Sequence, residues 1–444
     1  MKAMKLLFVI TLVSFISGFS HAACPLEIVF TKSEQVLGNT RSFMVAIADV
    51  DLDGDNDVFL PNYIGPSQLW LNDGNGIFSP SQQSFNLSEV HGVAISDLNG
   101  DTYPDIFLLS HASPSKVYFN NGNGTFTEGG QDIGLGPDYP GTIVLGDVDN
   151  DGDKDAFIAY YLLPNRLWLN NGEGFFTITD TEYGGGNGGD MKLADVNGDG
   201  SLDLFITFSN QPDEIWLNDG SGNFVNSGQA LGNSAGYENA VTGDVDGDGD
   251  IDFAVGNSVA GAKIWLNQNN TGTFVEAGPY FEAGTPKIEL VDADLDGDLD
   301  LITVQISGGG NKLWRNDGSG VFTSLGTLFG SASVPGLACG KLDNDDDYDV
   351  VFGLIENSGG NPIYINESAD TCCCVGVRGN VNASGIVDLA DLSGLVSYLT
   401  GGGYVLPCSD EANVNGTGIV DLGDLSALVS YLTGGGYVLP SCPG

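Results

Sequence analysis

The sequence predicts an all-β protein, a seven-bladed β-propeller of four-stranded blades, followed by a small α-helical module. Three observations lead there. A nine-residue acidic stretch occurs seven times at nearly constant spacing, the same strand pattern surrounds each copy, and the composition changes after Cys374.

The first acidic stretch is Asp49 to Asp57, DVDLDGDND, with an acid at every second position and a Gly at the bend. It returns as DLNGDTYPD from Asp97, DVDNDGDKD from Asp147, DVNGDGSLD from Asp195, DVDGDGDID from Asp244, DADLDGDLD from Asp292 and KLDNDDDYD from Lys341. The spacings are 48, 50, 48, 49, 48 and 49 residues. So regular a period means one supersecondary unit stacked seven times.

Each unit carries four strand signals in order. An alternating run such as Met44 to Ala48 enters the acidic loop, and Val58-Phe59-Leu60 leaves it. After a variable polar turn comes a third run ending Leu69-Trp70-Leu71-Asn72. A tight Asn-Asp-Gly-Asn-Gly turn then leads to a fourth run starting at Ile77-Phe78. All five tryptophans stand at one position of the third run (70, 168, 216, 265 and 314), with tyrosine at 118 and 364. An aromatic repeated inside an alternating strand points to packing between blades, rather than to a row of sugar platforms.

Four strands in about 49 residues make a propeller blade, of which a ring holds about 4 to 8. The seventh unit stops after Ile363 to Asn366 without a fourth strand, while Glu27 to Thr31 precedes the first unit and belongs to none. The N-terminal strand, residues 27–31, is therefore expected to complete the last blade and remove its open edge.

Composition narrows the class further. The chain of 444 residues has 14 basic and 59 acidic side chains, a net charge of −45, and 66 glycines, about twice the usual share of roughly 7%. No basic stripe interrupts this negative surface, which excludes nucleic acid and anionic lipid as partners. MKAMK, the apolar run Leu6 to Phe19 and the small residues Ser20, Ala22 and Ala23 suit a signal peptide over 1–23. The apolar run is shorter than a membrane span of about 20 residues, and no later segment is long enough, so no transmembrane segment is expected and the chain is read as secreted or cell-surface. Cys24 also suits a lipoprotein signal, against which stands His21, where that signal takes an aliphatic residue.

Seven cysteines in an exported chain are compatible with disulfides, with at least one left unpaired. Cys24 bridged to Cys372, Cys373 or Cys374 would lock the ring. Cys339, on an inner strand, reads as a buried thiol.

The carboxylates of each loop repel one another and call for a counter-ion. Oxygen ligands at positions one, three and five, a bend at six, a carbonyl at seven and an acid at nine form a flexible oxygen cage that suits Ca2+ better than Mg2+. Zinc or copper would want His or Cys, absent from the loops. The expected ligands are Asp49, Asp51, Asp53 and Asp57; Asp97, Asn99, Asp101 and Asp105; Asp147, Asp149, Asp151 and Asp155; Asp195, Asn197, Asp199 and Asp203; Asp244, Asp246, Asp248 and Asp252; and Asp292, Asp294, Asp296 and Asp300. Lys341 replaces the first acid of the seventh loop, where its ammonium takes the metal's place beside Asp343, Asp345 and Asp349. About six ions are expected in the propeller.

These units resemble the FG-GAP/VCBS repeats of secreted bacterial proteins, and the loops resemble the calcium loops of integrin α-subunit propellers. The resemblance covers residues 24–371; the literal Phe-Gly and Gly-Ala-Pro signature is absent, so the VCBS form is nearer. It implies a ligand, carbohydrate or protein, on the face opposite the calcium loops. The turns there are Asn62 to Gly65, Pro137-Asp138-Tyr139, Tyr160-Tyr161, Glu182-Tyr183 and Gly236-Tyr237, whose aromatics could stack on a sugar or a protein, with His91 and His111 in neighbouring turns.

From Asn380 a segment recurs 33 residues later, from Asn413. Apolar residues at 389, 392, 395, 396 and 399 share a helical face, and Gly401 to Gly403 and Gly434 to Gly436 end the two helices. Loop positions one, three, five, seven, nine and twelve match an EF-hand cage: Asn380, Asn382, Ser384, Ile386, Asp388 and Asp391, then Asn413, Asn415, Thr417, Ile419, Asp421 and Asp424. With Asn at position one and Ser or Thr at five, fewer charges predict weaker binding of up to two ions. Two loop-helix units in tandem resemble a type I dockerin module over residues 375–444. This implies a cohesin-like or other protein partner, although Leu389-Ala390 and Leu422-Gly423 replace the hydroxyl pair that usually meets a cohesin. Cys408 and Cys442 would pair with each other or with Cys374.

Two functions compete. One is a calcium-stiffened binding, adhesion or scaffold module attached through its tail. The other is an extracellular polysaccharide lyase or glycoside hydrolase, since dockerins usually tag such enzymes. A purely passive spacer is a third reading. Against catalysis, almost every acid cluster is committed to a loop and no Ser-His-Asp, Cys-His or zinc pattern occurs. Glu182, Asp190, Glu214 and Glu238 are the remaining loop acids to test.

Overall fold

The computed structural model describes residues 28–38, 40–134, 139–185, 188–232, 236, 238–305, 309–330, 336–354 and 360–368, and in the tail 381, 387, 389–400, 414, 420, 422–433, 438 and 439. The signal segment, every cysteine but Cys339, and the tail loop residues Asn380, Asn382, Ser384, Ile386, Asp388, Asn413, Asn415, Thr417, Ile419 and Asp421 lie outside these. So do Pro137, Asp138, Tyr237 and the side chain of Glu238.

Residues Ile28–Asp370 form one compact unit. It is a propeller of seven separate four-stranded antiparallel sheets. Blades 1 to 6 follow the chain, from Ala46–Ala48 at the inside of blade 1 to Thr323–Thr327 at the outside of blade 6. Blade 7 takes its first three strands from Gly336–Gly340, Asp349–Gly353 and Asn361–Asn366, and its outermost strand from Phe30–Leu37 at the other end of the chain. The register runs from Phe30 opposite Asn366 to Leu37 opposite Asn361, so this strand lies further along the chain than residues 27–31. Pairing is set by the length of the Asn361–Asn366 strand it must cover.

The second strand of each blade lies between two neighbours on both faces and is buried throughout. In Asp105–Ser110, Asp155–Tyr160 and Asp203–Phe208 all six residues are buried. That is why those runs are continuously apolar, while an outer strand such as Phe78–Pro80 buries only its first residue. Seven core clusters result, one between each pair of neighbouring blades. Each contains one member of the repeated aromatic: Trp70, Tyr118, Trp168, Trp216, Trp265, Trp314 or Tyr364. The structure thus assigns this aromatic to packing between blades.

The tail is described separately. Helices α1 (Leu389–Leu399) and α2 (Leu422–Leu432) touch each other. Val381, Leu395, Val414, Ala427 and Leu428 form their small core, to which both sequence repeats contribute. No helix among the described residues is long and apolar enough to cross a membrane.

Candidate metal loops and ligand face

Each acidic loop joins the inner strand of a blade to the second strand, so all seven lie on one face. Positions four and six are left-handed in the first six loops: Leu52 and Gly54, Gly100 and Thr102, Asn150 and Gly152, Gly198 and Gly200, Gly247 and Gly249, Leu295 and Gly297. A left-handed Leu or Thr costs about 1–2 kcal/mol, so the loop must hold these bends against their preference. Asn344 and Asp346 of the seventh loop are not left-handed. Six loops therefore share one backbone shape and the seventh departs from it.

Carboxylate oxygens come within 4.8 Å of one another in four loops, at Asp49, Asp51 and Asp53, at Asp147, Asp149 and Asp155, at Asp244, Asp246 and Asp248, and at Asp292, Asp294 and Asp296. These are the loops with Asp at both positions one and three. Several of the oxygens are buried with no hydrogen-bond partner: Oδ1 of Asp49, Asp51, Asp147, Asp149, Asp246, Asp292 and Asp294. Burial, and then the crowding of neighbouring carboxylates, pushes the carboxyls of Asp51, Asp149, Asp246 and Asp294 upward, that of Asp294 to about 6. Orphaned buried oxygens converging on one point fit a hard cation.

In the two loops with Asn at position three the backbone satisfies the first acid, as it also does for Asp244 in the fifth loop, through Gly247, Asp248 and Gly249. Asp97 Oδ1 accepts from the N–H groups of Asn99, Gly100 and Asp101, and Oδ2 from Thr102. Asp195 repeats this with Asn197, Gly198, Asp199 and Gly200. In the seventh loop the Lys341 ammonium pairs with Asp346 at 3.2 Å, not with Asp343, Asp345 or Asp349 as its place in the sequence suggested.

The position-nine acids do something that sequence spacing did not show. In every blade one carboxylate oxygen accepts the N–H of position two at 2.8–3.2 Å. The other accepts the N–H of the asparagine that ends the third strand, at 2.8–2.9 Å. Burial pushes Asp57, Asp155, Asp300 and Asp349 up to about 7.

That asparagine is the residue sequence reasoning passed over, although its recurrence in all seven units was the available signal. Its Nδ2 donates at 2.8–2.9 Å to the position-two carbonyl of the preceding blade's loop. In blades 1 to 6 it also donates to the position-eight carbonyl of its own loop. Asn72 to Leu342 O closes the circle between the seventh loop and the first.

On the opposite face, blades 1 to 3 build an aromatic stack. The Arg41 guanidinium lies 4.5 Å over the Phe43 ring, Phe43 stacks on His91 at 4.5 Å, and His91 on His111 at 4.2 Å. Tyr63 and Tyr161 stand edge-on to both imidazoles, and Tyr139 edge-on to His111. His111 Nε2 donates to Pro140 O at 2.9 Å. Burial and the charges of His111, Arg41 and Lys287 push His91 down to about 4, so it is neutral at pH 7. Tyr160 and Tyr183, expected on this face, are instead fully buried in the cores between blades.

The described acids expected to test catalysis are engaged elsewhere. Glu182 pairs with Arg166 at 2.5 Å, and Glu214 accepts the indole N–H of Trp216 at 2.9 Å. Asp190 accepts from Met191 N, Lys192 Nζ, Asn239 Nδ2 and Ala240 N. In the tail, Asp391 and Asp424 begin the helices and are buried.

Fold and loops together define a repeat-built β-propeller with an acidic loop on every blade. The chain carries FG-GAP-like repeats: residues 49–108, 97–158, 195–255 and 244–303 match that family, each match running from one acidic loop past the next. Comparison with curated proteins finds no match. Among solved structures, the chain is similar to the BP39L lectin of Burkholderia pseudomallei, at 12% identity and a TM-score of 0.57 over 74% of this chain and 96% of that one. It is also similar to a chain of the BBS1N complex with ARL6DN, at 12% identity and a TM-score of 0.55 over 76% and 97%. At such identity these likenesses speak to the fold alone.

Proposed function

We propose that this protein is an extracellular binding module. Calcium in the first six loops stiffens the propeller, the opposite face binds a carbohydrate, and the dockerin-like tail attaches the whole to a protein partner. The observation that carries the ligand reading is the stack of Arg41, Phe43, His91 and His111. Aromatic rings that could have been placed in the core are assembled at a surface, with tyrosine edges and polar groups around them, as a sugar-binding platform requires. A lectin with the same propeller architecture is consistent with this use of the fold. Support for calcium comes from the orphaned carboxylate oxygens and the shared left-handed bends. For the tail it comes from the tandem helices, each starting beside a buried acid at loop position twelve.

The enzyme reading is disfavoured because Glu182, Asp190 and Glu214 are held in structural contacts. A glycan array scored for binding and for product release tests the choice. Binding without release, lost in His91→Ala, is expected; release of cleaved product would overturn the reading, and binding only to proteins would redirect it. Chelation is expected to lower the melting temperature, and added calcium to restore it; an unchanged melt would refute the calcium part.

A further inference from the structure

The chain has 59 acidic side chains against 14 basic ones, so a basic group without an acidic partner needs a reason. Lys116, Arg166, Lys192, Lys263, Lys312 and Lys341 are all paired. Of the other described cations, Lys32 and Lys154 are exposed and Arg315 lies near Asp294, while Arg41 and Lys287 make no ion pair and no side-chain hydrogen bond, and Arg41 Nε is buried without a partner. Both cations act on the same imidazole, that of His91.

Their position follows from the fold. All inner strands run from the ligand face towards the acidic loops. Lys287 opens the inner strand of blade 6 (Lys287–Val291), as His91 stands at the start of that of blade 2 (Val90–Ser96), and Phe43 precedes that of blade 1. These residues therefore meet at the mouth of the central channel, opposite the acidic loops. Ile288 turns into the core between blades 5 and 6, which leaves Lys287 and Glu289 on the other side of the strand. Lys287 is half-buried, as expected of a group lining a channel; burial pushes its ammonium below the usual lysine value, which the charges of Asp190 and Glu289 oppose.

The nearby acids do not cancel this charge. Asp190 is saturated by four donors, one of them Lys192. Glu289, one pleat deeper, makes no hydrogen bond among the described residues, and burial pushes it up to about 7, so it carries a proton for much of the time near neutral pH. The mouth is thus aromatic on the side of blades 1 to 3 and cationic at Arg41 and Lys287, within a protein whose remaining surface is strongly negative.

We propose that this mouth binds a carboxylate-bearing sugar, a uronic acid residue, whose ring packs on the aromatic stack while its carboxylate meets the Lys287 ammonium and the Arg41 guanidinium. The inference rests on the reading of this face as a carbohydrate-binding surface and narrows it to one class of sugar. A half-buried ammonium with no partner gains from a ligand that brings the missing charge. The overall charge of −45 repels long polyanions, so the favoured ligand is a short oligosaccharide or a uronate flanked by neutral sugars.

The test is calorimetric titration of the full chain in calcium with trigalacturonate, its fully methyl-esterified form, and neutral galactotriose. The free acid is expected to bind about tenfold or more tighter than the ester, which keeps shape and removes charge. Lys287→Met, checked for an unchanged melting temperature, is expected to erase that preference of acid over ester. Equal binding of acid and ester by the unmodified protein would overturn the inference without any variant. If neutral sugars bind in a His91-dependent way and uronates do not, the class of sugar is refuted and the carbohydrate-binding reading stands. If no glycan binds, both fall.

Discussion

Replacing Asn120 by Ala isolates the hydrogen bonds that tie blade 2 to blade 1. The side chain is 3% exposed. Its Nδ2 donates to Val50 O in the loop of blade 1 at 2.8 Å and to Pro104 O in its own loop at 3.1 Å, while Oδ1 accepts from Gly122 N at 3.0 Å. The substitution removes three hydrogen bonds and strips a donor from two carbonyls in a largely buried site. At about 1 kcal/mol net for each bond, with an added penalty for an unsatisfied buried group, the loss is about 2–4 kcal/mol. Unfolding roughly 340 residues at about 2.1 cal/mol/K per residue gives an entropy near 0.7 kcal/mol/K, so the melting temperature should fall by about 3–6 °C. Differential scanning calorimetry reads this directly. Asn121→Ala, at the exposed neighbouring position, serves as the control and should change stability by about 0.5 kcal/mol or less. Equal shifts for the two variants would refute the assignment of the asparagine ring as the tie between blades.

Calcium titration of the first six loops is expected to show two classes of site, four tighter loops with Asp at positions one and three and two weaker ones with Asn at position three. Asn99→Asp with Asn197→Asp should merge the classes, and a single class in the unmodified protein would contradict the division. In calcium-free protein the carboxyls of Asp57, Asp155, Asp300 and Asp349 are raised from 3.8 to about 7 by burial. A raised folded value means stability that is full below the unfolded value and lost as pH rises through about 7, so the calcium-free melting temperature should be higher at pH 5 than at pH 8. His91, lowered to about 4, opposes this with one group between 6.5 and 4; a melt that rises from pH 5 to pH 8 would show that the latch acids are not held as described. Trp168→Ala should cost about 3–5 kcal/mol because the ring is 5% exposed inside the core between blades 2 and 3. Tyr139→Ala, at 44% exposure, should leave stability nearly unchanged and weaken glycan binding; denaturant unfolding reads the stability of both variants and glycan titration reads the binding.

What could be read from the chain was whatever repeats with it. The acidic stretch, the first three strand signals and the aromatic of the third strand each occur seven times at a spacing of 48–50 residues, and repetition separated structure from accident. Spacing within a loop could not separate ligand from latch, because an acid that coordinates an ion and an acid that accepts two backbone N–H groups look alike in sequence. The ligand face was harder still. Tyr160 and Tyr161 are adjacent, yet one is buried in a core and the other stands against the imidazoles, since neighbouring side chains point to opposite sides. Lys287 carried no signal, because strand alternation tells which residues share a side but not which side looks onto the channel.

The seventh loop separates two jobs that the other six combine. It has lost the acid at position one and the left-handed bends, yet it keeps Asp349, which accepts from Leu342 N and Asn366 N at 2.8 Å. Leu342 O in turn receives Asn72 Nδ2, so the circle of asparagines passes through this loop unbroken. Position nine and the asparagine therefore form the joint between blades, whereas the acids at positions one, three and five take no part in these hydrogen bonds. A blade can lack the acid at position one and remain in the ring, but losing the latch would leave two backbone N–H groups and a carbonyl of the next joint without support. On this division, the acids of one loop sit in different roles, and the latch is the part that propeller closure requires in every blade.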